Sequence, residues 1–135
     1  MRFVLFALVL LPKVTAAQNA DDLRAGIEEH YTAIHAQDTD AVRSHHLDEI
    51  SIFPGNGHVL MEAGWEEGSA RMGMELTFPN KRVAMRHFSA QLYDDVGIAM
   101  FYLDDPNGTW RVTAVWVWRD GRWIESHHHE SRLIG

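Results

Sequence analysis

The residues with the most chemical capacity lie near the C-terminal end, in the stretch RVTAVWVWRDGRWIESHHHESRLIG that begins at Arg111. Asp120-Gly121 separates two runs in which apolar and polar residues alternate. That dipeptide predicts a two-residue hairpin turn, because both central positions need positive φ. Counting outward from the turn pairs Trp118 with Trp123, Trp116 with Glu125, Ala114 with His127 and Val112 with His129. Strand side chains alternate, so Ala114, Trp116, Glu125, His127 and His129 are expected on one face. Thr113, Val115, Val117, Ile124, Ser126 and His128 are expected on the other. The first face mixes aromatic and titratable groups in the manner of a pocket lining.

Two imidazoles at i and i+2 on one strand face have the spacing of metal ligands. A third ligand would have to be Glu125 or His58. Two alone fall short of the three that a catalytic metal needs, so the reading is a metal-free pocket with no cofactor. Asp48 is the candidate general base. It stands where a helix is expected to give way to a strand, and a carboxylate in an apolar cavity gains the proton affinity that this role requires. The alternative is an exposed turn residue. His129 is the candidate partner in proton transfer. Tyr31 can enter the same pocket from a helix, or simply belong to the core. Trp116, Trp118 and Trp123 can clamp a planar ligand or pack against one another.

The other candidates have structural readings. His30 and His35 lie about 140° apart around a helix and do not share a ligand site easily; His30 is near the apolar stripe and can face the pocket, while His35 is expected in solvent. His45 and His46 are expected at a helix C-terminus, where a cation suits the dipole. Arg86 and Arg111 can meet an anionic ligand, but Arg111 also faces Glu130 in the counted register. No nucleotide-binding loop, Ser-His-Asp order or HExxH motif is present.

The elements that would position these groups can be read along the chain. Leu23, Ile27, Tyr31 and Ile34 recur at helical spacing, predicting an amphipathic helix over 22–37. A shorter helix is expected over 41–47, a strand over 50–53, a turn at Pro54-Gly55-Asn56-Gly57, a short strand over 58–61 and a weak helix over 64–74. Strands over 82–93 and 96–103 precede the closing hairpin. Helices first and a meander afterwards argue for an α+β layer with helices on one face of the sheet.

The closing hairpin resembles the C-terminal signature of SnoaL-like proteins of the nuclear transport factor 2-like superfamily. The residues that carry this are the Arg-Val-Thr start, Val-Trp-Val, the Arg-Asp-Gly-Arg-Trp turn and the His-His-His-Glu-Ser exit. It is similar as well to the end of the association domain of calcium/calmodulin-dependent protein kinase II. The likeness is sharp over 109–132 and holds elsewhere at the level of element order. It implies a cone-shaped, curved antiparallel sheet packed on a long N-terminal helix, the α+β barrel of cystatin-like folds. It also implies a cavity at whose mouth Asp48 would sit, and frequent dimerisation through the convex side of the sheet. Fold does not fix function here, since enzymes and binding modules share it.

The chain has 135 residues, 19 acidic against 12 basic, nine histidines and no cysteine. This acidity argues against nucleic acid and anionic membranes as partners. Residues 1–17 read as a signal peptide: Arg2, then an apolar run from Phe3 to Leu11, then Thr15-Ala16-Ala17 as the cleavage site. The run is too short to span a bilayer. A secreted or periplasmic domain over 18–135 follows, dependent on its core in the absence of disulfides. The leading reading is a homodimer, joined through the Val115, Val117 and Ile124 face, that binds a small apolar or carboxylate-bearing molecule. Two alternatives stay open: a cofactor-free isomerase, cyclase or hydrolase using Asp48 and a pocket histidine, and a homo-oligomeric assembly module.

Overall fold

The computed structural model describes residues 19–53, 84–105 and 108–134. The expected leader over 1–17, the turn expected at Pro54, the strand expected over 58–61 and the helix expected over 64–74, with His58, lie outside these residues. Helix α1 runs Ala20–Ala36. Asn19, rather than an aspartate, caps it and accepts from the Asp21 and Asp22 amides at 2.8 and 2.9 Å. Those two carboxylates then complement the positive end of the helix. Leu23, Ile27, His30 and Ala33 form its buried face. Gln37, at φ 57°, closes the helix, and Asp38 caps the next by accepting from the Ala41 amide at 3.0 Å. Helix α2 spans Thr39–Ser44, ending sooner than expected. Strand β1, His46–Phe53, therefore takes in His46, which leaves the helix-end role proposed for it.

Strands β2 (Ala84–Tyr93), β3 (Val96–Asp105), β4 (Gly108–Arg119) and β5 (Arg122–Arg132) follow. The sheet order is β1-β5-β4-β3-β2. The four later strands pair antiparallel, while β1 pairs parallel to β5. The architecture is thus α+β as expected, with a sheet that is curved, open and mixed rather than wholly antiparallel. Leu23 and Ile27 of α1 pack on Ala99, Phe101, Leu103, Val112, Ala114, Trp116 and Trp123, which line the concave face. Gly97 lets α1 come this close: a Cβ there would stand 2.7 Å from Leu23 Cδ2.

The closing turn forms as read, with Asp120 at φ 52° and Gly121 at φ 82°. Trp118 faces Trp123 and Trp116 faces Glu125. Beyond that pair the register departs from the regular count. One step along β4, from Trp116 to Val115, matches two along β5, from Glu125 to His127. Ser126 is the extra residue of a β-bulge, and its hydroxyl donates to the Val115 carbonyl at 3.2 Å. Val115 therefore faces His127, Ala114 faces His128, Thr113 faces His129 and Val112 faces Glu130. The expected placement of His127 and His129 beside Trp116 is corrected: both turn to the convex face, and His128 turns inward. An inserted residue inverts every later side chain.

Candidate functional site

The bulge, the start of β1 and the third turn of α1 converge on Glu125. Its amide donates to the His45 carbonyl at 2.8 Å, and His46 stands opposite it across the β1–β5 pair. The carboxylate is 2% exposed. One oxygen lies 2.7 Å from His128 Nδ1 and the other 3.1 Å from His46 Nε2. His128 Nε2 in turn lies 3.1 Å from Glu130. His30 packs over this chain, its ring 4.7 Å from that of His46, 5.6 Å from His45 and 5.9 Å from Trp116.

These groups set one another's charge. Burial would raise the Glu125 carboxyl, but the charge and hydrogen bond of His128, with that of His46, hold it well below the usual carboxylate range. Burial likewise opposes a charge on His128, but Glu125 and then Glu130 outweigh it and push the imidazole up to about 10. His30 goes the other way. Burial takes it down to about 3 against the pull of Glu125, leaving a neutral ring in the core. Its Nδ1 is buried and finds no hydrogen-bond partner among the described residues, and the same is true of Trp116 Nε1. Buried polar atoms are seldom left so.

The profile of the SnoaL-like domain matches residues 23–135. The chain belongs to the SnoaL-like family. No curated protein matches it in sequence. Among solved structures it is similar to a nuclear transport factor 2-like protein from Cytophaga hutchinsonii, with 14% identity and a TM-score of 0.70 over 87% of this chain and 100% of that one. It is also similar to the calcium/calmodulin-dependent kinase II hub homology domain of Chlamydomonas reinhardtii, with 21% identity and a TM-score of 0.71 over 85% and 98%. A third likeness is to a protein from Parabacteroides distasonis assigned as a ketosteroid isomerase, with 17% identity and a TM-score of 0.70 over 90% and 92%. At these identities the likeness is one of fold.

Of the residues singled out from sequence, this SnoaL-like domain brings Trp116 and Glu125 together and sets Tyr31 beside them. The Tyr31 ring is 5.3 Å from His30 and 6.1 Å from Phe101. Burial, with Glu130 and Glu125 adding, raises its hydroxyl well above the ordinary value, so it stays protonated. His127 and His129 are not in this group. His127 Nδ1 lies 2.8 Å from Ser51 Oγ, and Phe53 packs edge-on against both imidazoles on the convex face. Asp48 is exposed on β1. Arg86 is bound to Asp104 through two nitrogens, which favours the structural reading of that cation. Arg111 faces Ser131 rather than Glu130. The residues that sequence reasoning left out are His46 and His128. Ser126, a polar residue amid a run of titratable ones, gives no sign in sequence that it is the extra one.

Proposed function

We propose that this SnoaL-like domain binds a small molecule between α1 and the concave face of the sheet. The ligand would have an apolar body and an uncharged hydrogen-bonding head. The observation that carries the reading is that two buried ring nitrogens, His30 Nδ1 and Trp116 Nε1, have no hydrogen-bond partner among the described residues. The two rings lie 5.9 Å apart, and Trp116 packs in one cluster with apolar Phe101, Ala114 and Val112. Indole Nε1 is a donor only, so the head must offer an acceptor there. Two carboxylates, Glu125 and Glu130, stand against the single imidazolium of His128, and this charge balance favours an uncharged head over a carboxylate.

Binding is favoured over proton-transfer catalysis for a physical reason. A general acid or base works best with its pKa near the operating pH. Here Glu125 is driven down, His128 up to about 10 and His30 down to about 3. Asp48, the base expected by resemblance, lies in the open.

Saturation-transfer NMR with planar ketones, amides and carboxylic acids tests the reading. Ketones and amides should bind, acids should bind poorly, and Trp116→Phe should weaken the neutral binders by removing the indole donor while an aromatic ring is retained. Absence of binding by every class, or equal binding by Trp116→Phe, overturns it.

The proposal extends to a homodimer joined through the convex face. Val115 and Val117 lie there half-buried with exposed Thr113, Phe53 is 39% exposed on the same face, and Ile124, at 8%, is already largely covered within the chain. Apolar surface of this kind marks interfaces. We read residues 1–17 as a leader that would carry the domain out of the cytoplasm, to a secreted or periplasmic location, and N-terminal sequencing of the natural protein tests this.

A further inference from the structure

We propose that His30, His46 and Glu125 form a binding site for a divalent transition-metal ion of the zinc class. One donor atom from each lies within 4.8 Å of the other two. They come from three separate elements, α1, β1 and β5, so helical or strand periodicity does not account for their meeting. His30 and Glu125 are 4% and 2% exposed.

The donor set fits the ion. Two imidazoles and one carboxylate are the three protein ligands of a familiar open zinc site, which leaves a fourth position for water or a ligand. Bonds of about 2.0–2.1 Å at tetrahedral angles separate the donors by roughly 3.3 Å. His46 Nε2 and the Glu125 oxygen already stand 3.1 Å apart. An ion there takes the place of the proton that now bridges them. His30 needs only to close on this pair, and its ring carries the buried nitrogen that lacks a partner among the described residues.

The surroundings are those of a supported ligand. The second Glu125 oxygen is held by His128 at 2.7 Å, and His128 by Glu130 at 3.1 Å. Chains of this kind orient metal-binding carboxylates and imidazoles. The His45 carbonyl fixes the backbone of Glu125 at 2.8 Å. On the convex face, His127 and His129, the more obvious pair in sequence, face away from any third donor of this set.

The site stands whether or not an organic molecule binds beside it, and zinc alone tests it. Chelator-treated full chain is titrated with zinc by calorimetry and, in parallel, with cobalt(II) by visible absorption. The expected result is one ion per chain, the d–d spectrum of a four-coordinate cobalt site, and a raised melting temperature with zinc. His46→Gln and Glu125→Gln should each weaken zinc by ~10-fold or more. His127→Ala and His129→Ala should leave it unchanged. Imidazole nitrogen resonances of the ¹⁵N-labelled wild-type protein give the same answer without a variant, since those of His30 and His46 should move on adding zinc. No stoichiometric zinc, unmoved His30 and His46 resonances, or zinc binding lost in His127→Ala but kept in His46→Gln overturns the assignment. Ligand binding by neutral fragments in the metal-free protein is a separate readout, so either conclusion can fail alone.

Discussion

The hydroxyl of Ser126 donates to the carbonyl of Val115 at 3.2 Å and pins the bulge at which β5 carries one residue more than β4. The facing of the three C-terminal histidines follows from that bulge. It turns His128 toward Glu125 and sends His127 and His129 to the opposite face. Deletions test it. Removing Ser126 should regularise the ladder and keep His128 opposite Ala114. Removing Ser126 and His127 together leaves no residue to spare, sets His128 opposite Val115 on the convex face and breaks its pair with Glu125. Thermal melts should rank the Ser126 deletion well above the double deletion, and the reverse order would show that β5 carries no extra residue there.

Glu125 and His128 should be strongly coupled. Removing one partner of a buried ion pair strands the other charge and costs roughly 3–5 kcal/mol. Glu125→Gln is expected to lose stability on that scale, and His128→Gln likewise. The double variant strands neither charge and should lose clearly less than the sum of the two. Denaturant unfolding of the four proteins measures the coupling; additive losses would contradict it.

The pH dependence of stability has a definite sign in chelator-treated protein. His128 is raised from an ordinary 6.5 to about 10. Its contribution is complete below 6.5 and is lost as pH rises toward 10. His30 is lowered from 6.5 to about 3, so stability is lost as pH falls through that interval, because the unfolded ring takes up a proton that the folded one refuses. Glu125, lowered from 4.5, adds a further loss below that value. The combined contribution of the three is greatest around pH 6.5. His128→Gln should flatten the alkaline limb of the melting curve and leave an acid limb. Parallel alkaline limbs in the two proteins would sink this account.

Two glycines separate backbone strain from steric room. A Cβ on Gly121 would meet nothing within 4 Å, yet its φ is 82°. Gly121→Val should therefore cost about 1–3 kcal/mol through conformation alone. A Cβ on Gly97 meets Leu23 and Trp123 at 2.7 and 3.3 Å. Gly97→Ala should loosen α1 from the sheet, measured as faster amide exchange in α1. Unchanged exchange there would show that the helix accommodates the methyl group.

The proposed dimer is open to a charge placed at its centre. Val117→Asp should convert a wild-type dimer to monomer in sedimentation equilibrium without altering zinc or fragment binding on the concave side. A wild-type protein that sediments as a monomer at tens of micromolar removes the proposal.

The sequence alone determined the helix carrying Leu23 and Ile27, the Asp120-Gly121 turn, the Trp118–Trp123 and Trp116–Glu125 pairings and the SnoaL-like fold. The helix, the turn and the pairings rest on local chemistry: apolar spacing at the helical period, a dipeptide tolerant of positive φ, and counting outward from it; the fold followed from the resemblance of the closing hairpin to SnoaL-like proteins. Tertiary structure decided which histidines meet Glu125. His46 joins β1 because α2 stops at Ser44, and no local signal separates a last helical residue from a first strand residue there. His128 turns inward because one inserted residue reverses the alternation beyond it. Strand parity reads faces correctly only up to the first bulge, and a bulge is set by how neighbouring strands pair, β1 on one side of β5 and β4 on the other, rather than by the residues within it.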